Sequence, residues 1–141
     1  MTPIELLSPA RTADIGIEAV RHGADAVYIG GPGFGARVAA GNSVADIERL
    51  CRFAHPFGAK VYVTLNTILF DDELKHAEAL VKEIYEAGAD ALIVQDFAYL
   101  TMSLPQMRFM PPRNPTSPRR RRRLCWRLPV SPVWWWRENF R

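Results

Sequence analysis

The chain has 141 residues, enough for one domain with a buried core. Its formal net charge of +3 conceals a division: residues 1–103 carry net −6 and residues 104–141 net +9, with all nine glycines before the break and all four tryptophans after it. No run approaches the ~18 apolar residues of a membrane-spanning helix, the N-terminus lacks the pattern of a secretory leader, and Cys51 and Cys125 stand in no disulfide or metal spacing, so composition predicts a soluble cytoplasmic protein.

In chain order, residues 4–7 (IELL), ahead of Ser8-Pro9, predict a first short strand. Thr12 is placed to cap a helix over 13–22. HGADAVYIGG (22–31) then ends that helix at Gly23 and supplies a second strand, AVYI. Ser43 is placed to cap a second helix over 44–55, with Asp46 three residues on in an approximate capping box. FGAKVYVTLN (57–66) repeats the pattern, with Gly58 closing the helix and VYVTL as the third strand. In DDELKHAEALVKEIYEAG, Leu74, Ala77, Val81 and Ile84 recur at helical spacing, and Asp71 and Asp72 favour the helix dipole at its start. AGADALIVQD (87–96) yields a fourth strand, ALIV, and FAYLTM opens a further helix.

The three glycines Gly23, Gly58 and Gly88 are 35 and 30 residues apart, each where a left-handed helix end costs glycine little. The strands are short, β-branched and almost continuously apolar, as strands covered on both faces are. Alternation of strand and helix at this spacing predicts an α/β fold with a parallel sheet and right-handed crossovers. Periodicity leaves a barrel and an open doubly wound sheet both possible.

Ligands of such folds gather at the carboxyl ends of the strands. The polar residues expected there are Ser8, Arg11, Arg37, Thr64, Asn66, Gln95 and Asp96. Asn66 and Asp96 each close an apolar strand, although either could equally cap the next element. GGPGFGAR (30–37) is not a GxGxxG loop, and the next helix starts only near residue 44, so a dinucleotide fingerprint is not expected. Arg37 in that loop would meet an anionic ligand. His22, His55 and His76 have no metal spacing, and no residue pair reads as an activated nucleophile with its base. Catalytic residues therefore remain unknown, and no metal ligand is assigned.

The segments ELLSPAR (5–11), GADAVYIGGPGFGARVAAGNS (23–43), AHPFGAKVYVTLNTIL (54–69) and DALIVQD (90–96) together resemble the collagenase-like proteases, the U-32 peptidase family. The resemblance runs without a gap over residues 4–100 and is greatest to the branch that hydroxylates a cytidine of large-subunit ribosomal RNA. Sister branches act in tRNA hydroxylation and in oxygen-independent ubiquinone hydroxylation. The resemblance implies the N-terminal half of a (β/α)8, TIM-like barrel in residues 1–103, incomplete, with RNA as a partner. It also implies, in several branches, an iron–sulfur cluster held by cysteines well downstream, and prephenate-dependent chemistry in the RNA-modifying ones. Nothing in this chain matches those cysteines, so no cofactor is expected in it, and Cys51 reads as core. An unclosed barrel would expose its edges, predicting poor solubility, chaperone binding and no activity.

Residues 104–141, with five consecutive arginines at 119–123 and Trp134, Trp135 and Trp136, depart from that family. They predict a disordered tail. Tryptophan and methionine have one codon each, which permits a test. Read from the third base of each codon, FMPPRNPT (109–116) allows HASTQSD, and VWWWRENF (133–140) allows VVVAREL in the same register. Both resemble family motifs, HASTQ and VVLARELS, in the order in which the family carries them. This coincidence predicts a frameshift near residues 101–108. The alternative is a small α/β binding module with a genuine Arg/Trp arm, its arginines on phosphates and its tryptophans on RNA bases or at a membrane surface.

Overall fold

The computed structural model describes residues 5–33 and 41–110. Five strands form one parallel sheet in sequential order: β1 (Leu7–Ala10), β2 (Ala26–Gly30), β3 (Lys60–Leu65), β4 (Ala91–Val94) and β5 (Arg108–Met110). Helices α1 (Ala13–Arg21), α2 (Val44–Ala54) and α3 (Leu74–Glu86) make the crossovers between β1 and β4. A single 3-10 turn, Phe97–Leu100, stands between β4 and β5 where FAYLTM predicted a longer helix.

Register and burial assign the two faces of the sheet. Val27, Ile29, Val61, Val63, Leu65, Leu92 and Val94 share one buried cluster with Val20, Ile47, Leu50, Val81 and Ile84 from the helices. Ala26, Tyr62 and Ala91 form a second cluster on the other face, joined by Leu7, Tyr28, Ile93 and Met110. All three helices thus cover one side of the sheet, and the sequence makes those residues apolar at both period 2 and period 3.6.

Helix ends follow local chemistry. Thr12 Oγ1 accepts from the Ile15 amide at 3.4 Å. Ser43 Oγ accepts from the Asp46 amide at 3.2 Å while Asp46 accepts from the Ser43 amide at 3.1 Å, a complete capping box. Gly23, Gly58 and Gly88 have φ of 91°, 73° and 93°, so the chain leaves each helix in the left-handed region.

Three expectations are corrected. β1 lies at Leu7–Ala10 rather than 4–7, because Ser8-Pro9 is not a turn. The Ala26 amide donates to Leu6 O at 3.2 Å, so alternation turns Pro9 outward at the sheet edge, where its missing N–H breaks no ladder bond. α3 starts at Leu74 without a side-chain cap, and Asp71 and Asp72 lie in the turn before it. The sheet also runs past residue 103, since β5 pairs with β4 in parallel through Ala91↔Arg108 and Ile93↔Met110. Phe109 drives this extension by packing on the helix-side core, and Met110 joins the opposite cluster. The predicted tail from 111 onward lies outside the described residues.

Candidate functional site at the carboxyl ends of the strands

Strand register sorts the expected site residues by face. Ser8 pairs with Val27 inside β1 and shares the helix-side row, so it does not reach the strand ends. Thr64 pairs with Gly30 and Ile93 on the opposite face, and its hydroxyl donates to Ile29 O at 3.3 Å. Asn66 and Gln95 follow directly on the ends of β3 and β4, Asn66 half-buried and Gln95 exposed. Arg11 is exposed just past β1. Arg37 lies outside the described residues.

Asp96 has a specific task. Its Oδ1 accepts from the Ala98 amide at 2.9 Å, capping the 3-10 turn, and its Oδ2 accepts from the Leu69 amide at 2.9 Å. The carboxylate therefore ties the loop after β3 to the end of β4. Leu69 is buried in the core, whereas Ile68 and Phe70 on either side are exposed.

Asn42 was missing from the sequence reading. It is the buried polar residue among the described ones, and its Nδ2 donates to Arg11 O and Gly30 O, both at 3.1 Å. One amide group thereby couples the segments leaving β1 and β2. An asparagine directly before a helix-capping serine was the available signal, but it reads as ordinary loop chemistry until the two carbonyls are seen to converge.

At the amino ends of the strands a second polar group forms. Glu5 Oε1 accepts from Tyr62 OH at 2.7 Å and from Lys60 Nζ at 3.1 Å. Burial, and then the Glu5 carboxylate, push the Tyr62 phenol above its ordinary pKa, so it remains a neutral donor. Asp25 accepts from the Leu6 amide at 2.8 Å, and Asp90 accepts from the Val61 amide at 2.7 Å and bonds His55 at 3.1 Å. The repeated Gly-Ala-Asp thus ends a helix, buries an alanine and clamps the neighbouring strand. In parallel α/β folds this end serves stability.

The residues present do not fit an iron–sulfur cluster, which needs several cysteine thiolates. Cys51 is 2% exposed, and burial, followed by the charge of Asp90, pushes its thiol up to about 12. Among the described residues no group of three His, Cys, Asp or Glu side chains could hold a metal ion.

Comparison with known proteins identifies the class. A profile of peptidase family U32 matches residues 12–110, and the chain belongs to that family. Particular relatives sharpen the picture. The 23S rRNA 5-hydroxycytidine C2501 synthase of Escherichia coli K12 is 62% identical over 102 residues, which are 72% of this chain and 16% of that protein. The tRNA hydroxylation protein P of the same organism is 40% identical over 95 residues, 65% of this chain and 20% of the relative. A collagenase of Porphyromonas gingivalis W83 is 26% identical over 96 residues, 67% of this chain and 23% of the relative. The chain thus spans less than a quarter of the length of each. No helix among the described residues is long and apolar enough to cross a membrane.

Proposed function

We propose that residues up to Met110 are the N-terminal arc of an α/β barrel whose complete form hydroxylates a cytidine of large-subunit ribosomal RNA in the cytoplasm. The observation that carries this reading is the 62% identity to the 23S rRNA enzyme, against 26% to the collagenase. The sequential strand order with helices on one side supports a barrel arc, since an open doubly wound sheet reverses its order at a switch point. Within the arc, Asn42 and Asp96 hold the loops that would carry RNA-contacting side chains, among them Arg11, Asn66 and Gln95. No step of the hydroxylation is assigned to these residues.

The codon reading supports out-of-frame translation of the Arg/Trp segment. The family match and β5 both run to residue 110, while the codon reading begins at the third base of codon 109, which keeps the break near the end of the 101–108 window.

Resequencing the gene and expressing the frame-restored protein test this. Bound iron and no cleavage of collagen-like peptides are expected. Iron-free protein that cleaves such peptides would replace hydroxylation by proteolysis, and stop codons soon after codon 110 in the third-base frame would end the frameshift reading.

A further inference from the structure

We draw no further inference here: the strongest candidate, the cleft between α2 and α3 lined by Glu48, Glu83 and Glu86, rests on an acidic cluster alone, and nothing among the described residues shows what it would hold.

Discussion

Gly30 and Gly31 are neighbours at the end of β2, yet a side chain would meet different surroundings at each. A Cβ on Gly31 would lie 2.7 Å from Leu65 Cδ2 and 3.0 Å from Val63 Cγ1, both on fully buried residues, whereas on Gly30 the nearest atom is Thr64 Oγ1 at 3.9 Å. Gly31→Ala should therefore destabilise by ~1–3 kcal/mol through overpacking, and Gly30→Ala should change little, as urea denaturation of the two variants would reveal. Equal effects would mean that the core beneath β2 yields freely. Gly31 is thus a packing device, whereas Gly30 is not. Cys51 gives a second check. Since burial raises its thiol well above the ordinary ~8.5, it should resist alkylation in the native protein near that pH and react on unfolding. Peptide mapping distinguishes it from Cys125, and rapid native labelling of Cys51 would contradict its place in the core. Burial of Cys51 was legible from its position in an amphipathic helix. The role of Asn42 was not, because it depends on two carbonyls 31 and 12 residues away along the chain.

Elements were most legible where a local signal and a tertiary demand coincided. The caps at Thr12 and Ser43 and the left-handed glycines each satisfy backbone groups within one turn, so sequence suffices to place them. α3 lacks such a cap, and its start shifted to Leu74 because Glu73 bonds back to Phe70 and leaves Asp71 and Asp72 in the preceding turn. β1 was displaced because an edge strand tolerates a proline that a central strand would reject. β5 was missed because three residues carry no period of their own and are strand only through pairing with β4. The capping box of α2 also makes a pH prediction. Hydrogen bonds from the Ser43 hydroxyl and amide, in that order, lower the pKa of Asp46. The depressed value means its contribution is present above the unfolded carboxylate pKa and is lost as pH falls through the folded one. Ser43→Ala should cost ~1 kcal/mol near neutrality, with the difference from wild type shrinking in acid below the ordinary Asp range. A gap that stays constant down to the acid transition would mean the box contributes nothing through Asp46.

For the molecule as a whole, the parallel α/β sheet was legible from glycine spacing and strand apolarity, while the choice between barrel and open sheet needed information beyond periodicity. On the proposed barrel reading, the face around Tyr28, Tyr62 and Ile93, which the three helices leave uncovered among the described residues, is the one turned inward. Polar residues near the strand ends divided by pleat and by local bonding: Thr64 lies on the face away from the helices, Ser8 on the helix side within β1, and Asp96 holds two backbone amides. That division could not be read while the first strand stood out of place. The central claim, that this is the opening arc of an rRNA cytidine hydroxylase interrupted by a change of frame, has one direct test. Cells lacking their own enzyme would express either the chain as it stands or the reading with the third-base frame restored after Phe109, and nucleosides from their 23S rRNA would be analysed by mass spectrometry. Hydroxycytidine should appear only with the restored frame. Its formation by the chain as it stands, or its absence with a soluble restored protein, would contradict the claim.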